Sequence, residues 1–237
     1  MMKKSLLSTF VIFAIMTMAA IMPQSVPAKD PAGKFVVVID PAHGGKDEGV
    51  QLSRNVSEKD ITLAVATLIK RNLEDSKTLV VRFTRTGDAD VAMADRVGAA
   101  IKANADLFVS LHVNAGFEKD SSGYELYFPG FAGQESTKGA PKGESAAILR
   151  DMTRTQYLNE SVRFAQILQK RLDPVFPRMD RGLREAPVLI LQNLRIPAVD
   201  LEMGFATNPT DRKKLQEESI QAAVAQAVAE SIREFFQ

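Results

Sequence analysis

None of the 237 residues is a cysteine. That removes disulfide frameworks, thiolate nucleophiles, iron–sulfur clusters, cysteine-rich zinc sites and lipid attachment through an N-terminal cysteine. Histidine is nearly as scarce: His43 and His112 are the only two, so any imidazole chemistry uses one or both. Excess charge is missing too. Lys and Arg number 30 against 29 Asp and Glu, a balance that argues against general affinity for nucleic acid or anionic membrane surfaces. No serine sits in a G-x-S-x-G context, which leaves covalent acyl-enzyme chemistry without support. There is no internal repeat and no low-complexity tract. What is present is ordinary for a globular chain, 45% hydrophobic and 25% charged, with length enough for a full core.

The first stretch reads as an address. Lys3 and Lys4 precede an almost wholly apolar run from Leu6 to Met22, and Gln24 to Ala28 then places Val26 and Ala28 at the small-residue positions expected before a cut. Residues 1–28 are therefore expected to be a signal peptide and 29–237 a single catalytic domain. The rival reading is an uncleaved anchor, since the run lies at the short edge of a membrane span. Either way the working domain is exported, to a periplasm or to the cell exterior.

From Phe35 onward, short apolar runs alternate with amphipathic stretches. Phe35 to Ile39 is β-branched and bounded by Gly33 and Pro41, as a buried strand requires. Residues 58–73 place Ile61, Val65, Leu68 and Ile69 on one helical face, with Ser57 as N-cap and Asp60 completing a capping box. Further strands are expected at Leu79–Thr84, Leu107–Leu111, Tyr124–Phe128, Val188–Leu191 and Ala198–Leu201, and further helices at 91–103, 159–172 and 211–235. Strands separated by helices of this length indicate α/β architecture with a largely parallel sheet. The Gly-, Ser-, Lys- and Glu-rich stretch 116–149 reads as one strand plus an exposed loop bordering a substrate groove.

Both histidines stand at strand exits. His43 follows Asp40-Pro41-Ala42 and precedes two glycines; His112 ends the run Leu107 to Leu111. Ligands of open α/β sheets bind beyond the strand C-termini. Alone, either histidine reads equally well as a structural residue of a turn or sheet edge; together they can face one crevice and share a metal. Glu202 ends another apolar run, where a carboxylate is costly unless paired or used. Asp200 alternates with it, so both can point to one face, Asp200 as structural partner and Glu202 as functional group. Glu58 opens the first helix, and by periodicity it is simply an acid complementing the helix dipole. Two histidines and one carboxylate with an open fourth position form a catalytic zinc arrangement, in which zinc lowers the pKa of water to about 7 and polarises a carbonyl. A second carboxylate outside the ligand set serves as general base and then protonates the leaving amine.

Four blocks carry a resemblance. Val38 to Gly49 (VIDPAHGGKDEG), Glu58-Lys59-Asp60, Arg96 to Ala115 with its ADLFVSLHVNA end, and Ile196 to Asn208 (IPAVDLEMGFATN) occur in order. Together they resemble the zinc-dependent N-acetylmuramoyl-L-alanine amidases of the amidase 3 type. The resemblance implies a six-stranded sheet flanked by helices, with His43, Glu58 and His112 as ligands of Zn2+ and Glu202 as catalytic base. It implies peptidoglycan as substrate, cut between the muramic acid lactyl group and L-alanine, in agreement with the export signal. It also revises the reading of Glu58.

Two positions depart from that pattern. Ala42 stands where the family usually has glycine, costly if that position needs positive φ. Met203 stands where a small or hydroxyl side chain is commoner, which bears on the surroundings of Glu202. Some relatives carry an inhibitory helix that plugs the zinc until a protein activator withdraws it; Glu125, Glu135 and Glu144 are conceivable plugs here, with solvated loop acids the plainer reading. Arg85, Arg96 and Arg195 are candidates for saccharide contact, against ordinary surface or structural roles. Two other functions use the same residues: a zinc carboxypeptidase or endopeptidase acting on wall peptides, and a non-catalytic wall-binding relative.

Overall fold

The structure, a computed structural model, describes residues 33–116, 121–130, 144–177 and 180–237. The expected signal peptide lies outside the described residues. Among those described, no helix is long and apolar enough to cross a membrane.

Among the described residues, eight strands and six helices follow one another as β1 (Phe35–Pro41), β2 (Gln51–Ser53), β3 (Val56–Ser57), α1 (Glu58–Asn72), β4 (Leu79–Phe83), α2 (Met93–Lys102), β5 (Leu107–Asn114), β6 (Tyr124–Pro129), α3 (Glu144–Leu172), β7 (Asp180–Ala186), α4 (Leu189–Gln192), β8 (Ala198–Phe205), α5 (Pro209–Leu215) and α6 (Glu218–Phe235). Six strands form one sheet in the order β4-β1-β5-β8-β6-β7, and β2 pairs with β3 in a small ribbon. The pairs β1/β4, β1/β5, β5/β8 and β6/β7 are parallel, whereas β6 runs antiparallel to β8. The sheet is thus mixed, mostly parallel and flanked by helices.

Alternation along the strands gives the sheet two unlike faces. Val37, Ile39, Val109, Leu111, Val113, Leu126, Val199, Leu201 and Met203 point to one face, where α1, α3 and α6 bury them in the main core. On the other, Val38, Phe108 and Ala198 pack beneath α2 and α4 with Val97, Ala100, Ile190 and Leu191. Toward the strand ends this second face turns polar, through Asp40, Ser110, Asp200, His112 and Glu202. The capping box forms as expected: the Asp60 carboxylate accepts from Ser57 N and Oγ, each at 2.9 Å.

The sequence expectation needs correction in five places. Val188–Leu191 is not a strand: Leu189–Gln192 is a single helical turn, and the edge strand beside β6 is the polar stretch Asp180–Ala186. Helix α3 begins at Glu144, well before residue 159. The final helical region is two helices, α5 capped by the Asn208 side chain and α6 starting afresh at Glu218. Ala42 lies outside the left-handed region, which His43 enters instead at φ 60°. Met203 belongs to the main core on the face opposite Glu202, so it does not line the surroundings of that carboxylate.

Phe108 is fully buried in the smaller core, just behind the polar end of the sheet. Phe108→Ala should lower unfolding stability by about 3–5 kcal/mol in urea titrations, the usual result of emptying an aromatic core position; a loss under about 1 kcal/mol would mean that this layer is loosely packed.

Candidate metal centre

Three elements bring His43, Glu58 and His112 together. The loop after β1 carries His43, the first residue of α1 is Glu58, and the end of β5 supplies His112. One ligand atom from each lies within 4.8 Å of the others. Glu58 Oε2 is 3.1 Å from His43 Nε2, and Glu58 Oε1 is 3.1 Å from His112 Nδ1. The same carboxylate accepts Val50 N at 3.0 Å and Val113 N at 2.9 Å, so both oxygens are fixed by backbone as well as by imidazole.

Sequence reasoning did not single out the groups that orient these three. Asp47 Oδ2 lies 2.8 Å from His43 Nδ1, fixing the ring so that Nε2 faces Glu58; a carboxylate behind a metal-binding imidazole has this orienting effect. Gly49, at φ 64°, passes so close that a Cβ there would lie 2.5 Å from Glu58 Oε2 and 2.6 Å from His43 Cδ2. Only glycine leaves the space. Arg85 and Arg96, weighed above as saccharide contacts, are instead buried clamps on the exit of β1. Arg85 donates to the carbonyls of Pro41, Ala42, Gly87 and Lys59; Arg96 donates to those of Pro41, His43 and Val91 and pairs with Asp40 at 2.8 Å. They hold the turn in which His43 takes its left-handed conformation. Arg195 is exposed and near Tyr157.

Glu202 stands beside the cluster, directly across from His112 in the β5/β8 register. Asp200 is one pleat back on the same face, opposite Ser110. Asp200 Oδ1 and Glu202 Oε2 are buried with no hydrogen-bond partner among the described residues. Burial raises the carboxyls of both, and in Glu202 the neighbouring Asp200 charge raises it further. Glu125, on β6 across from Glu202, is neither a plug nor a solvated loop acid: it is buried and bound to Asn114, Tyr127 and Arg181. Glu135 and the Glu144 side chain lie outside the described residues.

The electrostatics state what this pocket needs. Burial alone lowers the pKa of His112, yet the charge of Asp200, the hydrogen bond to Glu58 and the charge of Glu202 carry it up to about 10. Burial likewise raises Glu58, and its bonds to His112 and His43 outweigh that and hold it at about 2. Three carboxylates facing two imidazoles demand positive charge, which a proton meets in part and a divalent cation meets through the same atoms. Nitrogen and oxygen donors in this number can hold a divalent metal ion.

Comparisons with known proteins give the family. The family model for N-acetylmuramoyl-L-alanine amidase matches residues 37–234. The chain is 29% identical over 229 residues to the amidase AmiA of Escherichia coli, covering 88% of this chain and 78% of that one. It is 31% identical over 209 residues to YqiI of Bacillus subtilis, covering 88% of both. Among solved structures, the catalytic domain of the amidase CwlV from Bacillus (Paenibacillus) polymyxa superposes with a TM-score of 0.69 at 31% identity, covering 85% of this chain and 98% of that one. The amidase AmiC2 of Nostoc punctiforme superposes with a TM-score of 0.70 at 26% identity, covering 86% and 98%.

Two outcomes follow, the first for the metal-free protein. A histidine raised from 6.5 to about 10 on folding contributes stability that is complete below the lower value and lost as pH rises through the higher one. Thermal melts of chelated protein should therefore fall between those limits, and zinc should flatten the profile; a flat profile without metal would contradict the charge pattern described. Gly49→Ala should weaken zinc binding by at least tenfold in competition with a chromophoric chelator, and unchanged affinity would show that the close approach is dispensable.

Proposed function

Because the chain belongs to the N-acetylmuramoyl-L-alanine amidase family, we propose that it is an exported zinc hydrolase cutting peptidoglycan at the amide between the lactyl group of N-acetylmuramic acid and L-alanine. The observation that carries this reading is the single carboxylate of Glu58 lying 3.1 Å from each of two imidazoles, with Glu202 one strand away. Export is supported by the charge and apolar pattern of residues 1–28 and by the place of the substrate outside the cytoplasmic membrane.

His43, Glu58 and His112 would hold the ion, with Asp47 setting the His43 ring. When bound, zinc supplies Lewis acidity, polarising a carbonyl oxygen and making water a stronger acid. Glu202 takes the proton of the attacking water on its carboxylate and delivers it to the amide nitrogen as the C–N bond breaks, leaving a lactyl carboxylate and the free amine of L-alanine. Burial and the nearby Asp200 charge raise the Glu202 carboxyl above the ordinary carboxylate range, which strengthens it as a base for the first transfer. Asp200, one pleat back on the same face, shapes the field around Glu202. A carboxypeptidase or endopeptidase would use the same centre on another bond, and a wall-binding relative would have no use for Glu202. The matched family and the intact set of four residues support the amidase.

Glu202→Ala should retain zinc at wild-type stoichiometry and lose about 10²–10⁴ in kcat, the usual worth of a general acid–base, in digests of purified sacculi read by mass spectrometry. Metal loss in that variant would make Glu202 a ligand and overturn the assignment. His112→Ala should lose both metal and activity.

A further inference from the structure

Beyond the zinc cluster, the same polar face continues across two more strands. The register sets His112, Glu202 and Glu125 in one row over β5, β8 and β6, and Asp200 and Tyr127 in the row behind it. Strand β7 closes both rows. Arg184 pairs with Tyr127, and an irregularity between the Tyr124 and Leu126 pairings, with Gly182 at φ 85°, lets Arg181 reach Glu125. The result is a buried carboxylate with all its bonds made. Glu125 Oε1 is 2.8 Å from Arg181 Nε and 3.3 Å from Arg184 Nη2. Its Oε2 accepts Asn114 Nδ2 at 2.8 Å and the Tyr127 hydroxyl at 2.7 Å.

Glu125 is not the whole environment of the two arginines. Two guanidinium groups meet one carboxylate, and their side chains remain 36% and 46% exposed. Arg181 spends only Nε on Glu125 and rests against the Phe205 ring, 5.2 Å from its centroid. Its two terminal nitrogens have no partner among the described residues. Glu125 thus acts as a pin that orients the Arg181 charge and leaves its terminal N–H donors for another acceptor. Neighbouring strands lie about 4.8 Å apart, which puts this charge within roughly 10 Å of Glu202.

We propose that Arg181 and Arg184 form an anion subsite beside the cleavage centre that takes a carboxylate on the peptide side of the scissile amide. This rests on the amidase reading. The glycan side of that bond offers hydroxyl and acetamido groups and no anion. On the peptide side, the residue after L-alanine is acidic, and consecutive Cα atoms are 3.8 Å apart. Its α-carboxylate therefore comes within about 8 Å of the bond being cut, which matches the reach of the subsite. Guanidinium groups recognise carboxylates through paired N–H donors and discriminate sharply against a neutral amide at the same position.

The test uses the zinc-loaded enzyme and two N-acetylmuramoyl tetrapeptides that differ only in whether the α-carboxyl of the second residue is free or amidated. Wild-type kcat/KM should favour the free carboxylate at least tenfold, mainly through KM. Arg181→Gln should reduce that ratio below threefold, and Arg181→Lys should restore part of it. Arg184→Gln leaves Glu125 its three shorter bonds, so it keeps the test open if Arg181→Gln does not fold; it too should reduce the ratio. Hydrolysis of both peptides at equal kcat/KM by the wild type, or an unchanged ratio in folded variants, would overturn the subsite while leaving the amidase reading intact. Hydrolysis of neither peptide would overturn the amidase reading and the subsite with it.

Discussion

A carboxylate removed from water must be paired or hydrogen-bonded, and the architecture of this protein answers that demand at Glu58. The residue is 2% exposed, and its two oxygens are met by two imidazoles and two backbone N–H groups. Those partners come from the turn after β1, the strand β5 and the loop ahead of the small ribbon. Satisfying one side chain thus draws together stretches of chain that are far apart in sequence. The constraint extends outward: Gly49 must lack a side chain, Asp47 must hold the His43 ring, and Arg85 and Arg96 must tie down the carbonyls of a turn that would otherwise relax.

The sheet makes this arrangement affordable by keeping its two faces separate. Apolar residues on the face under α1, α3 and α6 supply the main core, while polar residues on the opposite face collect at the strand ends, where ligands of α/β sheets bind. Strand β8 shows the division most clearly. Val199, Leu201 and Met203 enter the core, and Asp200 and Glu202, between them, face the site. Because the alternation is strict, the catalytic row and the core cannot exchange members without a shift of register. Asp211 anchors the exit of this strand, its Oδ2 accepting Phe205 N at 3.1 Å and Gly123 N at 2.8 Å, which ties β8 to the start of β6.

Much of this was legible in the sequence, for identifiable reasons. Strands β1, β5 and β8 are apolar and largely buried, β4 opens on a short apolar run, and α1 carries both an apolar stripe and a capping box; such elements announce themselves. Strand β7 does not, because DRGLREA is a polar edge strand without alternation. The apolar run near Leu189–Gln192 is too short for periodicity to separate a strand from one helical turn. At the site, two histidines at strand exits pointed to a shared centre, and Glu202 stood out as a carboxylate ending an apolar run. Glu58 was different, since a ligand and a dipole-complementing acid look alike at a helix start, and only the resemblance to a family separated them. Asp47, Gly49 and the set around Glu125 were out of reach. Their roles come from turn geometry and cross-strand register, which leave no pattern along the chain.

The central claim is that one zinc ion is shared by His43, Glu58 and His112, with Glu202 beside it and unligated. Anomalous diffraction above and below the zinc edge, on crystals of the zinc-loaded protein, tests it most directly. The account predicts a single strong peak within bonding distance of His43 Nε2, Glu58 and His112 Nδ1. A peak that omits any of the three, or one that takes Glu202 as a ligand, would contradict it.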